Sequence, residues 1–154
     1  MGSQAIGKRW EISRRSRAGW GLMALMLLVA ANAVYGGIGL IRNGMGMSKD
    51  WLTRTPFDSW LVPGLALMVT VAVPQLIAAG LVLARSRWGA AGGLVAGVGL
   101  MLWIVVQLVV LRRFFFLQPV IFGMGVVEAA LAWWWLATDH RPARLGSLHE
   151  EALR

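Results

Sequence analysis

Four apolar stretches, separated by short polar or basic connections, dominate the pattern of this chain, at about residues 20–41, 61–84, 88–111 and 117–137. At ~1.5 Å of rise per residue, each is long enough to cross a hydrocarbon core ~30 Å thick as a helix. The pattern predicts an all-α, four-helix transmembrane bundle. A basic segment, 1–19, precedes it and a polar tail, 138–154, follows.

The connections carry their own signals. Residues 42–60 form the longest one, and Met45, Met47, Trp51, Leu52, Phe57 and Trp60 make it apolar enough to lie against the bilayer interface. Within it, Ser48 is placed to cap a helical turn through Lys49, Asp50 and Trp51. Thr55-Pro56-Phe57-Asp58 reads as a helix start, so the second helix is expected to begin near Pro56. Arg85-Ser86-Arg87 is a short turn that makes the second and third helices antiparallel neighbours. Arg112 to Phe116 is a second short turn, with arginines for head groups and phenylalanines for lipid. Pro74 lies deep in the second span, where it should distort the helix and free the Thr70 carbonyl.

Charge sets the expected orientation. Ten Lys and Arg fall in the N-terminal segment, the 85–87 turn and the tail, against five on the opposite side, so both termini are expected in the cytoplasm. Arg14-Arg15 and Ala31-Asn32-Ala33 imitate a secretory leader. Apolar character nevertheless continues through Ile41, and the stretch reads as an uncleaved helix. Lys8 to Arg17, with Trp10 and Ile12, fits a basic amphipathic element on the inner leaflet.

Composition narrows the function classes. Charged residues make up 14% of the chain, well under the ~25% of an ordinary soluble domain. The net charge of +8 is explained by topology and lipid head groups, and no nucleic-acid-binding signature accompanies it. There is no cysteine, and the two histidines lie in the tail. Thiol chemistry and a bis-histidine haem within the spans are excluded, and neither a metal nor a cofactor is expected.

One side chain stands out. Glu128 lies near the middle of the fourth apolar run, where a charge costs roughly 2.5–3.5 kcal/mol on insertion scales. Asn32 in the first span and Gln75 in the second fall within roughly 5 Å of the same depth, counted by helical rise. Glu128 shares a stripe with Ile121, Met124, Gly125, Leu131, Ala132 and Trp135. Asn32 shares one with Leu25, Leu28, Val29, Tyr35, Gly36 and Gly39. Both stripes are expected to face protein. A neutral Glu128 would then donate a hydrogen bond to Asn32, Gln75 or Tyr35. Proton coupling or cation binding is the functional alternative. Trp103 and Gln107, four apart on the third span, are candidates to line a cavity. Gly89, Gly93 and Gly97 form a small-residue ridge for close helix packing, inside the bundle or against a second copy or larger partner.

Three features together resemble the small DoxX-like and related four-helix membrane proteins of bacteria. They are Gly36-Gly37-x-Gly39-Leu40 closing the first span, Pro63-Gly64-Leu65 opening the second, and Gln118-Pro119 through Glu128. The resemblance implies a multi-pass protein of a bacterial plasma membrane in contact with lipid, and implies no activity. The leading expectation is an accessory or assembly subunit without enzymatic activity. The alternatives are a carrier for a small hydrophobic or cationic solute coupled to Glu128, and an enzyme acting on a lipid or isoprenoid.

Overall fold

The computed structural model describes the backbone of residues 3–53, 55–112 and 114–139, and side chains within 19–138 of that set. The basic side chains of the N-terminal segment, Arg54, Arg113 and the 140–154 tail lie outside the described residues. Helix α1 runs Ser3–Asn43 and passes unbroken through Ala31-Asn32-Ala33. The second span is continuous from Leu61 to Leu83 but is built from α2 (Leu61–Leu67), a π turn (Met68–Ala72) and α3 (Val73–Leu83). Helices α4 (Gly89–Leu111) and α5 (Leu117–Asp139) complete the bundle. Among the described residues, four helices are long and apolar enough to cross a membrane: Gly19–Gly46, Leu61–Leu83, Gly89–Leu111 and Leu117–Thr138.

The spans form a ring. The first packs on the second and fourth, and the third packs on the same two. Two glycine crossings fix the closest approaches. A Cβ on Gly37 would meet the Gly64 carbonyl oxygen at 2.9 Å, and one on Gly64 would meet the Gly37 oxygen at 2.8 Å. Between the third and fourth spans, a Cβ on Gly97 would meet Gly125 O at 2.9 Å and Ala129 N at 2.8 Å. Lipid is as apolar as leucine, so helices in a membrane associate through such close packing and not through water exclusion.

Pro74 distorts its helix in a specific way. The turn before it widens, and the Val73 N–H donates to Met68 O, five residues back. Pro74 then occupies the first turn of α3, where its missing N–H matters least. The Thr70 hydroxyl donates to Ala66 O at 2.6 Å.

The 85–87 turn forms as expected. Arg85 takes a left-handed conformation (φ 52°), and the Ser86 and Arg85 amides close back on Leu81 O and Val82 O.

The long connection folds onto the end of the bundle. Leu52 and Trp60 are buried against Leu40, with Met47, Trp51, Phe57 and Leu111 around them. The Ser48 side chain accepts from the Asp50 N–H and starts the Lys49–Leu52 turn, as its sequence predicts. The expected helix start at Pro56 is not found: α2 begins at Leu61. The Thr55 hydroxyl is used locally, donating to Leu52 O at 2.9 Å and accepting from the Phe57 N–H at 3.3 Å. That closes a turn in place of a helix cap.

Gly44 terminates α1 at φ +63°, and a Cβ there would lie 2.5 Å from Trp60 Cδ1. Gly44→Ala is therefore expected to loosen this cap, costing about 1–3 kcal/mol through backbone strain and overpacking. Loss of helical signal during thermal unfolding in detergent measures it, and an unchanged midpoint would show that the cap contributes nothing.

Candidate functional site

The site grows from two helices that stand diagonally in the ring. Gln75 projects from the first turn of α3, immediately after the π turn and Pro74. Glu128 projects from the middle of α5, one turn beyond the Gly97–Gly125 crossing. Gln75 Nε2 donates to Glu128 Oε2 at 2.8 Å. The two side chains are 1% and 0% exposed, so no space the size of a water molecule adjoins the acid.

The surroundings are dry. On one side lies a core of Leu22, Met26, Ala78, Ala79, Ala96 and Ala132. On the other lies a core of Val29, Ala33, Val71, Ala72 and Leu100, against which Met124 packs. Donors and acceptors in the pair do not balance. Gln75 Oε1 and Glu128 Oε1 are both buried without a partner. A carboxylate offers only acceptors, so Gln75 Oε1 gains a donor from this acid only when the carboxyl holds a proton. The arrangement can lock two diagonal helices in register, or it can hold one proton.

The other residues predicted for this site divide. The stripe bearing Glu128 faces inward, with Gly125 and Ala132 buried and Leu131 and Trp135 partly so. The stripe bearing Asn32 is split: Val29 is buried and Leu25, Gly36 and Gly39 partly so, whereas Leu28, Asn32 and Tyr35 are exposed. Asn32 is exposed, its amide Nδ2 donates to its own helix at Leu28 O (3.0 Å), and Tyr35 is 73% exposed. The buried face of α1 is centred on Leu22, Met26, Ala33, Gly37 and Leu40 and reaches the Asn32 stripe only at its edge, through Val29. Both faces are apolar enough to serve, and the one with small residues where other helices cross closely is the one taken. Asn32 and Tyr35 are therefore corrected from partners of Glu128 to residues of the outer surface.

Trp103 packs partly buried on the core beside Leu100, with its indole Nε1 unpartnered. Gln107 is half-buried one turn further along α4. The glycine ridge is consumed inside the bundle. Gly89 rests on Val82, Gly93 on Met26, Leu22 and Ala132, and Gly97 on Gly125 and Ala129. Any partner at the third span would meet its other face, where Val95, Val98, Leu102 and Val109 are exposed.

Sequence reasoning missed two features. One is the reciprocal use of Gly37 with Gly64 and of Gly97 with Gly125, for which a glycine in each of two neighbouring spans is too common a signal. The other is Gln118, buried at the start of α5, whose Oε1 accepts from the Phe115 N–H at 2.9 Å while its own N–H donates to Phe115 O. The three-residue spacing of a capping box is the signal that finds it. Comparison with protein-family models, curated proteins and solved structures finds no match to this chain.

Proposed function

We propose that this chain is a small multi-pass subunit of a bacterial plasma membrane, with both termini in the cytoplasm. Its bundle provides a fixed, lipid-embedded surface for assembly with other membrane protein. The orientation rests on the excess of Lys and Arg at the two termini and the 85–87 turn. The observation that carries the reading is the complete burial of Glu128 against Gln75. A coupling acid must be reached by its ion from each side in turn. This one sits in a dry core and ties together helices that touch little elsewhere, which is what a structural lock requires.

The chain's own membranes, solubilised in mild detergent, provide the test. The protein is expected to migrate in a complex larger than one bundle, and Glu128→Gln is expected to leave that complex intact. Migration as a single 16.8 kDa chain at every detergent concentration would overturn the reading.

A carrier coupled to Glu128 is the second reading. It is favoured by the two unpartnered oxygens and by the π turn beside Gln75, a feature frequent at functional sites. Solute uptake into proteoliposomes that depends on a pH gradient and vanishes in Glu128→Gln would establish it.

A further inference from the structure

Among the described residues, the outer surface of the bundle at mid-depth is apolar except for Asn32 on α1 and Thr70 on the second span, and only Asn32 has polar groups left unbonded. Asn32 lies at the midpoint of the Gly19–Gly46 span and is exposed. One amide hydrogen is bonded to Leu28 O. The second N–H and the carbonyl oxygen face outward, where only acyl chains would meet them. Thr70 on the second span is also exposed, but its hydroxyl is bonded to its own helix at Ala66 O. Unpaired amide groups in hydrocarbon are costly and are normally matched by another helix.

Asn32 is also set in a surface shaped for a helix. Leu28, Asn32 and Tyr35 are exposed and continue from the half-buried Leu25 at alternating spacings of three and four, the seam spacing of two parallel helices that wind together. Ala24 and Ala31 beside them are exposed and small enough for close approach.

We infer that this face of α1 pairs with the same face of a second copy of the chain, with the two Asn32 amides bonded to each other across a two-fold axis. The chemistry selects the partner. What remains on Asn32 is one donor and one acceptor on a single planar group, a pattern that is its own complement. Copies inserted with one topology carry Asn32 at one depth. A two-fold axis along the membrane normal sets each residue on it against its counterpart. A lone asparagine in such a seam fixes both register and pairing. The inference deepens the subunit reading by naming its first partner, and it moves the contact from the glycine ridge of α4 to α1.

The absence of cysteine makes the test direct. Leu28→Cys and Tyr35→Cys, both on the exposed face, are oxidised in native membranes and compared with Val98→Cys and Val105→Cys on the outer face of α4. The first pair is expected to give an adduct of twice 16.8 kDa, and the second pair none. Asn32→Leu, which removes no contact within the bundle beyond the Leu28 bond, is expected to weaken pairing roughly 3- to 20-fold in a detergent-dilution series. Its thermal midpoint should stay unchanged. Absence of the double-mass adduct from the α1 variants, equal adducts from the α4 variants, or full pairing in Asn32→Leu would each overturn the inference. An adduct of α1 with a different polypeptide would overturn it too, while leaving the subunit reading in place. Single-chain migration in the complex assay above would remove that reading separately.

Discussion

Glu128→Ala will destabilise the bundle on the order of 3 kcal/mol, whereas Glu128→Gln will be close to neutral. The alanine variant leaves a void in a core with no adjoining space and strips Gln75 Nε2 of its acceptor. Glutamine has the same shape and keeps that acceptor. Its new N–H₂ can also serve Gln75 Oε1, which has no partner in the native pair. The measurement is loss of helical signal during titration from mild detergent into sodium dodecyl sulfate, at a single pH.

Gln75→Leu should fall between the two, because it leaves the acid whole but unbonded. The double variant Gln75→Leu with Glu128→Leu should cost less than the sum of its parts, since removing both polar partners is far milder than orphaning one. An alanine variant as stable as the native chain would show that the bond across the bundle holds nothing. A glutamine variant as damaged as the alanine one would show that the acid itself, and not its shape and acceptor, is required.

Gly97→Leu is expected to prevent the native bundle from forming, and Gly97→Ala to cost about 1–3 kcal/mol. The reason lies in what a Cβ would strike. At Gly97 the nearest atoms are Ala129 N at 2.8 Å and Gly125 O at 2.9 Å, both backbone, so two whole helices would have to separate. At Gly93 the nearest atom is Met26 Cε at 2.7 Å, the end of a flexible side chain that can turn aside. At Gly99 nothing lies within 4 Å. Alanine scanning of α4 should therefore rank Gly97 as most sensitive, Gly93 as intermediate and Gly99 as neutral or slightly stabilising, since alanine is the better helix former by roughly 1 kcal/mol. Unfolding midpoints in detergent give the ranking directly. Equal midpoints for the Gly97 and Gly99 variants would contradict the close crossing. The Gly97 effect should also appear as loss of the Glu128–Gln75 bond, because Glu128 stands one turn beyond the crossing on α5.

The two sets of variants separate contributions that act on one core. Glycine crossings bring the helices close enough for dispersion to hold them. The polar pair adds a directional constraint that apolar packing lacks: slip α5 by one residue and Glu128 turns toward lipid without its amide. Loss of a crossing is expected to abolish assembly of the bundle, and loss of the pair to leave a looser bundle with poorer register. The exposed Asn32 repeats this logic on the outside, where a polar group specifies a contact that apolar surfaces alone would leave free.

Length and hydropathy alone determined the four long apolar helices, to within a few residues, because an apolar run of some 20 residues matches as a helix the thickness of a bilayer core. Local chemistry likewise determined the 85–87 turn and the Ser48 cap, since their hydrogen bonds are made within a few residues of chain. The depth of Gln75 and Glu128 also followed from counting residues along straight helices.

The faces of those helices were decided only by the tertiary structure. In a soluble bundle, water sorts polar from apolar positions and so marks the inner face. In a span, the outer face meets acyl chains as apolar as the core, and Leu28 outside and Leu22 inside carry the same side chain. The sorting is done by steric fit between particular pairs, Gly37 with Gly64 and Gly97 with Gly125, and by which polar groups find each other. Gln75 met Glu128, and Asn32, at the same depth, was turned away.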